Sequence, residues 1–154
     1  MHMIYYLMIA VIVVLDRIGK FLVSSGLRAG ETIPLIDGFF HITYVQNRGA
    51  AFSMWEDQWF ILQALPAAAL VAGLVLIFFR RKVWDRLLLT AIALICGGGL
   101  GNLIDRMTQG YVVDMFDFRV FPVFNIADIF ICIGCGLLLV QVLFVERKRG
   151  GNEG

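Results

Sequence analysis

Charged residues are scarce in this sequence. They make up 16% of the 154 residues, while 60% are hydrophobic; soluble domains average about 25% charged and roughly 45–50% apolar. The formal net charge is +1, so the chain lacks the basic excess typical of nucleic-acid partners, and we expect none. The composition indicates a membrane protein, and the length indicates one unit, residues 1–154.

The small numbers of histidines and cysteines limit the possible chemistry. The two histidines, His2 and His41, form no H-E-x-x-H metal motif, and the sequence has no glycine-rich phosphate loop. We therefore predict no metal and no cofactor. Cys132 and Cys135 have the C-x-x-C spacing, but no basic neighbour is present to activate a thiol. We expect the cysteines to pack within helices, with no disulfide framework.

Apolar segments of nearly twenty residues or more predict the architecture. A helix needs about 20 apolar residues to cross the hydrocarbon core of a membrane. The run Gly97–Gly101 favours close approach of neighbouring membrane helices. We predict a mainly α membrane protein with four transmembrane helices, at about residues 4–22, 59–79, 87–104 and 125–145.

The basic residues of the short connections predict the orientation. Four of them lie between the second and third apolar segments, in residues 80–86, and three lie in the tail, residues 146–154. Because cytoplasmic loops carry an excess of Lys and Arg, we expect both regions and both termini to be cytoplasmic. The loops at about residues 24–58 and 105–124 then face outward.

The outer loops contain strand-forming sequence. The stretch FFHITYV, residues 39–45, is rich in aromatic and β-branched residues, which favour strands. We predict a small β-sheet and a loop on the outer membrane face. The stretch VVDMFDF, residues 112–118, is compatible with either an extended segment or a short interfacial turn.

Four aspartates converge at the outer interface in this topology: Asp16, Asp105, Asp114 and Asp128. An ionisable residue at membrane depth is costly and indicates a functional site. Two carboxylates held close together share a proton, so one can act as a base and the other as an acid. Asp117 resembles Asp114 in its surroundings, and the residues alone do not distinguish them.

Each polar pair in this region also has a purely structural interpretation. Asn125 and Asp128 have the spacing of a helix cap, and Asp16 and Lys20 have that of an i,i+4 salt bridge. Asp105 and Arg106 are placed as an interfacial ion pair would be, and Asn47 and Gly49 as a turn would be.

Other classes of function remain possible from the residues alone. Lys20 lies near Ser24, Ser25 and Ser53 in the first part of the chain, which allows a Ser–Lys dyad. Acids along a membrane path would suit a cation transporter, although these acids gather at one face. A noncatalytic membrane scaffold would use the Asn–Asp pairs only as caps.

Four motifs together resemble the bacterial lipoprotein signal peptidases, or signal peptidase II. They are NRGAAF (Asn47–Phe52), GNLIDR (Gly101–Arg106), VVD (Val112–Asp114) and FNIAD (Phe124–Asp128), in the family's order and spacing. The resemblance implies an aspartic endopeptidase of the bacterial cytoplasmic membrane, active near the outer face. Its substrates would be diacylglyceryl-prolipoproteins, cut before the lipidated cysteine. We expect a monomer among membrane lipids.

The resemblance also implies roles for individual residues. The catalytic dyad falls on Asp114 and Asp128. The N-terminal motif, usually Asp-Gln-x-x-Lys, is DRIGK here, with Arg17 in place of the glutamine. The residues expected to orient the dyad or bind substrate are Asp16, Lys20, Asn47, Gly49, Asn102, Asp105, Arg106 and Asn125.

Overall fold

The computed structural model describes residues 3–49, 59–79 and 86–146. Outside the described residues lie 1–2, 50–58, 80–85 and 147–154. These ranges include Ser53, most of the predicted basic connection and nearly all of the predicted tail. The described chain is mainly helical with a small three-stranded sheet, as predicted. Its helices are α1 (Met3–Gly26), α2 (Trp59–Phe79), α3 (Arg86–Gln109) and α4 (Ile126–Val140); its strands are β1 (Thr32–Ile36), β2 (Phe40–Asn47) and β3 (Val112–Asp117).

Helix α1 has one inward stripe and one outward stripe. The outward stripe carries large apolar side chains seven residues apart, at Leu7, Val14 and Phe21, which are 62%, 54% and 67% exposed. The inward stripe recurs every three or four residues, as the helical period requires. It becomes polar in its second half and consists of Tyr5, Ile9, Ile12, Asp16, Lys20 and Val23.

Two stretches among the described residues are long and apolar enough to cross a membrane. They are Arg86–Gln109, and Ile126–Leu143, in which α4 runs into a π-helical turn at Gln141–Glu146. The apolar stretch Pro66–Phe79 within α2 is shorter, and α1 carries three charged residues. Four membrane crossings therefore stay a prediction. Helix α3 packs against the three other helices and forms the centre of the helical part.

The sheet is antiparallel, with the strand order β1-β2-β3. Strand β2 comes from the predicted strand-forming stretch, and residues 112–117 add β3, so the extended alternative for that stretch is the one observed. The β2–β3 register shifts between Ile42 and Val45, and Asp114 pairs with Val45. Val23 on α1, Tyr44 on β2, and Val113 and Met115 on β3 pack together under the sheet.

Helix α3 continues five residues beyond the predicted end at residue 104. The apolar span stops at Asp105, but the backbone remains helical to Gln109. Gly110 then adopts φ +78°, and its N–H donates to the carbonyl of Arg106 at 3.1 Å, as at a glycine-capped helix C-terminus. Asp105 and Arg106 therefore lie on the last turns of a helix, and β3 follows directly.

Candidate active site

Asp114 and Asp128 line the same cavity, which has a volume of about 660 Å³. Asp114 comes from the middle of β3 and is only 2% exposed. Asp128 is half-buried in the first turn of α4. The fold therefore brings together two carboxylates that are fourteen positions apart in the chain, one on a strand and one at a helix start.

Asn125 connects the two carboxylates. Its Nδ2 donates to Asp114 Oδ1 at 2.6 Å, while its backbone N–H donates to Asp128 Oδ2 at 3.1 Å. Its Oδ1 accepts the backbone N–H of Asp128 at 3.0 Å, which completes a capping box at the start of α4. The structural interpretation of this pair, a helix cap, is thus observed, and the same asparagine also holds Asp114.

Two further asparagines bind the outer sides of the pair. Asn102 on α3 donates to Asp128 Oδ1 at 2.8 Å, and its Oδ1 accepts from Asn125 at 3.1 Å. Asn47, at the end of β2, donates to Asp114 Oδ2 at 2.9 Å. Each carboxylate oxygen of the pair therefore accepts one hydrogen bond from an N–H group. We call Asp114 and Asp128 the amide-held pair.

Gly49 contacts two residues that line the cavity, Asn47 and Arg106. The Gly49 N–H donates to Asn47 Oδ1 at 3.0 Å, so the turn suggested by the sequence is present and orients Asn47. Arg106 lines the cavity, and its Nη2 donates to the Gly49 carbonyl at 3.3 Å. Arg106 does not form an observed ion pair with Asp105; among the described residues, its Nε has no hydrogen-bond partner.

Asp16, Lys20 and Asp105 form a second buried group, which we call the lysine cluster. Their side chains are 0%, 1% and 0% exposed. Lys20 Nζ lies 2.8 Å from Asp16 Oδ2 and 2.9 Å from Asp105 Oδ2, and it donates to Asn102 Oδ1 at 2.9 Å. The predicted Asp16–Lys20 salt bridge is therefore present as part of a larger group that contacts the amide-held pair through Asn102.

The lysine cluster also fixes the two elements that carry the pair. Asp16 Oδ1 accepts the N–H of Ala127 at 3.0 Å, one residue before Asp128. Asp105 Oδ2 accepts the N–H of Val113 at 3.1 Å, one residue before Asp114. Arg17, which stands where the usual motif has glutamine, forms an ion pair with Asp105. This contact was not predicted, because no partner for position 17 is evident from the residues alone.

Burial changes the acidity of Asp114, which lies on β3 and outside the helices. Desolvation raises the pKa of its carboxyl to about 6, and the negative charge of Asp128 acts in the same direction. The hydrogen bonds from Asn47 and Asn125 oppose the rise because they stabilise the charged form. Asp114 can therefore bind and release a proton near neutral pH.

Within the described part of the chain, Asp117 makes its contacts away from the amide-held pair, and Ser24 does not form a dyad with Lys20. Thr43 and Arg119 donate to Asp117 at 2.8 and 3.1 Å. Desolvation acts to raise the pKa of Asp117, but the hydrogen bonds from Arg119 and Thr43 outweigh it and lower the pKa. The Ser24 hydroxyl donates to the Phe21 carbonyl, and Lys20 is bound to carboxylates, so no Ser24–Lys20 hydrogen bond is observed.

The apolar wall of the cavity was not predicted. It comes from residues 121–124, before α4, and from Ile129, Cys132 and Ile133 on α4 itself. Cys132 and Cys135 are exposed, whereas Cys96 is buried. The signal available in the sequence was the helical spacing of Asp128, Ile129 and Cys132, which places them on one side of α4. No group of three His, Cys, Asp or Glu residues suited to a metal ion occurs within the described ranges.

Two solved structures share this fold. A bacterial membrane enzyme solved at 2.3 Å by the in meso method has a TM-score of 0.83 and 29% identity, over 90% of this chain and 87% of that one. A second bacterial membrane enzyme, solved at 1.9 Å, has a TM-score of 0.80 and 28% identity, over 91% and 92%. The fold is therefore that of bacterial membrane enzymes.

Sequence relatives identify the family. The signal peptidase (SPase) II family profile matches residues 8–144. The lipoprotein signal peptidase of Clostridioides difficile is 44% identical, over 95% of this chain and 99% of its own length. That of Fusobacterium nucleatum is 42% identical, over 96% and 90%. The chain belongs to the signal peptidase II family, and it is thus a protease of the bacterial membrane.

Proposed function

We propose that this protein is an aspartic endopeptidase that removes the signal peptide from diacylglyceryl-modified prolipoproteins, with Asp114 and Asp128 as its catalytic dyad. The cut falls just before the lipidated cysteine. The observation that carries the proposal is the double contact of Asn125, which binds both carboxylates at the edge of a single cavity. Membership of the signal peptidase II family supports the substrate class.

In the proposed mechanism, the dyad holds one proton between its two carboxyls. Asp114 carries it, since burial raises its pKa to about 6, and Asp128 is the base. Asp128 takes a proton from a water molecule, whose oxygen attacks the scissile carbonyl while Asp114 protonates the carbonyl oxygen. The tetrahedral intermediate then returns a proton to Asp114, its C–N bond breaks, and the leaving amine takes the proton held by Asp128.

The remaining residues serve this step in two ways. Asn47, Asn102 and Asn125 fix the four carboxylate oxygens by donating N–H groups to them. Arg106 lines the cavity with its Nε unpaired among the described residues, and we assign it, together with Gly49, to holding the substrate backbone. Asp16, Lys20 and Asp105 support α4 and β3 from behind, with Arg17 paired to Asp105.

The proposed setting is the outer face of the bacterial cytoplasmic membrane, with residues 1–154 forming a single, monomeric multi-pass domain. Four helices cross the membrane with both termini in the cytoplasm, as the basic residues of the sequence predict. The apolar wall formed by residues 121–124 and by α4 suits the diacylglyceryl group of a substrate that arrives laterally from the lipid. The peptide then lies between this wall and β2.

The test is cleavage of a lipidated prolipoprotein by the purified protein in detergent or lipid. We expect loss of the signal peptide with the wild type, and no loss with Asp114→Asn or Asp128→Asn, both of which should still accumulate in the membrane. EDTA should leave the wild-type rate unchanged, because the proposed step uses two carboxylates alone. Cleavage that persists in either variant contradicts the dyad, and a requirement for a divalent metal contradicts the mechanism.

A further inference from the structure

Helix α4 begins in direct contact with two glycines of α3. A Cβ atom added to Gly98 would overlap the carbonyl oxygen of Ala127, and it would lie 2.8 Å from the side chain of Ile131. A Cβ atom added to Gly101 would lie 2.6 Å from Asp16 Oδ2 and 3.5 Å from Ala127 Cβ. Real Cβ atoms essentially never come within 3.0 Å of such neighbours. Only a hydrogen atom therefore fits at Gly98, whereas a Cβ atom at Gly101 would have to displace the Asp16 carboxylate. We call these two residues the glycine notch.

Ala127 occupies this notch and is fully buried. Its carbonyl lies against Gly98, its methyl group lies against Gly101, and its N–H donates to Asp16. The residue is therefore fixed on three sides by α3 and α1. Asp128 follows it directly, within the same first turn of α4. A shift of Ala127 would move the Asp128 carboxylate away from Asn102, which donates to it at 2.8 Å.

We propose that Gly98 and Gly101 are positioning residues, which set the place of Asp128 by seating Ala127. This inference rests on the proposed function, in which Asp128 is the base. The two glycines touch no reacting atom, and they act through the backbone of α4 alone. Positioning of this kind is effective because a misplacement of about 1 Å at a reacting group can reduce a rate on the order of a hundredfold.

The helix pair supplies two matched controls. Gly99 is next to Gly98 on the same helix, and a Cβ atom there would meet nothing within 4 Å. Gly134 packs in the same α3–α4 interface, where a Cβ atom would lie 2.8 Å from the carbonyl of Ala91 and 2.7 Å from Ile95. Gly134 lies almost two helical turns beyond Asp128. Its substitution therefore strains the interface without contacting the turn that carries the carboxylate.

The experiment compares Gly98→Ala, Gly99→Ala and Gly134→Ala as full-length proteins with the lipidated prolipoprotein. For Gly98→Ala we expect kcat to fall by about tenfold to a hundredfold with KM little changed, because ground-state binding does not depend on the exact place of Asp128. Gly134→Ala should lower Tm but keep the wild-type kcat in its folded fraction. Gly99→Ala should match the wild type in both. Equal loss of kcat in Gly98→Ala and Gly134→Ala overturns the proposal.

A second variant and a second readout keep the test independent of folding and of the assay. If Gly98→Ala does not fold, Gly101→Ala replaces it, because its clash is with a side chain, that of Asp16, and not with backbone. Wild-type kcat in Gly101→Ala, or loss of folding in both variants, overturns the proposal. Hydrogen exchange of residues 125–129 should be faster in Gly98→Ala than in Gly99→Ala even if the wild type cleaves nothing. Equal exchange contradicts the seating of Ala127, whereas absent wild-type cleavage contradicts only the proposed function.

Discussion

The two groups of aspartates are neighbours, but they are held by different partners. In the lysine cluster, the ammonium group of Lys20 lies within 3 Å of a carboxylate oxygen of both Asp16 and Asp105. In the amide-held pair, the observed donors among the described residues are asparagine side chains and the Asn125 N–H, none of which carries a charge. Asn102 belongs to both groups, since it accepts from Lys20 and donates to Asp128.

This difference accounts for the roles we propose. A buried carboxylate paired with a cation is costly to separate from it, so breaking such a pair is strongly destabilising. A carboxylate held only by amides keeps its orientation, but it remains free to gain or lose a proton when burial raises its pKa, as for Asp114. The lysine cluster is therefore suited to holding α1, α3, α4 and β3 together, and the amide-held pair is suited to acid–base chemistry.

The largest expected effect is the loss of kcat when an aspartate of the amide-held pair is replaced, without a loss of Tm. Asp114→Asn and Asp128→Asn should each lower kcat by about 10²- to 10⁴-fold, since each removes a group that transfers a proton. Their Tm should stay at or above the wild-type value. Asp105→Asn should show the reverse, a milder loss of kcat with a lower Tm. Kinetics and thermal unfolding on the same samples test this, and a common loss of Tm in all three would remove the distinction between the groups.

The next effect is on the lysine cluster itself. Lys20→Met leaves two buried carboxylates without their shared cation, so we expect the free energy of unfolding to fall by about 3–5 kcal/mol. The measurement is denaturant or thermal unfolding in detergent, with Arg119→Gln as a control at an exposed ion pair. A Lys20→Met variant as stable as that control would show that the cluster does not hold the helices together.

Substitutions of Asn125 separate its two tasks. Asn125→Ala removes both the helix cap, at a cost of about 1 kcal/mol, and the bridge to Asp114. Asn125→Ser keeps an oxygen that can cap α4, but it loses the Nδ2 donor. We therefore expect the serine variant to be the more stable of the two while kcat falls in both. Full activity in Asn125→Ser would mean that the contact with Asp114 is dispensable.

The pH dependence of kcat/KM tests the amide-held pair directly. Asp114 donates a proton in the proposed mechanism and has a pKa of about 6, so activity should fall as the pH rises through this value in the free enzyme. The Asn47 hydrogen bond lowers that pKa, so Asn47→Ala should raise it and move the alkaline limb to higher pH. A shift to lower pH, or an unchanged limb, would assign the proton to another group.

The smallest expected effect lies outside both groups. Arg119 donates to Asp117 from a side chain that is about half exposed, and such surface ion pairs contribute about 0.2–1 kcal/mol. Arg119→Gln should therefore change Tm only slightly and leave kcat unchanged. A large loss of kcat would indicate that Asp117, rather than Asp114, takes part in the chemistry.

The sequence predicts the helices better than it predicts the strands and helix ends of the loop regions. The sequence allows either an extended segment or a short turn at residues 112–117, because neither periodicity nor propensity shows that β2 supplies a partner strand. Asp114 and Asp117 are three positions apart on β3, so they point to opposite faces, and only the fold shows which face meets α4. The apolar pattern predicts the end of α3 at Ile104, although the helix continues to Gln109 and is capped by Gly110. Hydropathy marks the edge of the lipid, whereas the cap marks the end of the helix.

The capping box of α4 has a consequence for drug resistance. Asn125 and Asp128 form the cap that starts the helix; Asp128 also belongs to the amide-held pair, and Asn125 binds both of its carboxylates. An inhibitor that binds to these two residues contacts groups whose replacement impairs catalysis and, at Asn125, also weakens the start of the helix. Escape substitutions are therefore expected in the apolar wall, at positions such as Ile129 and Ile133, where one side chain can replace another without removing a hydrogen bond.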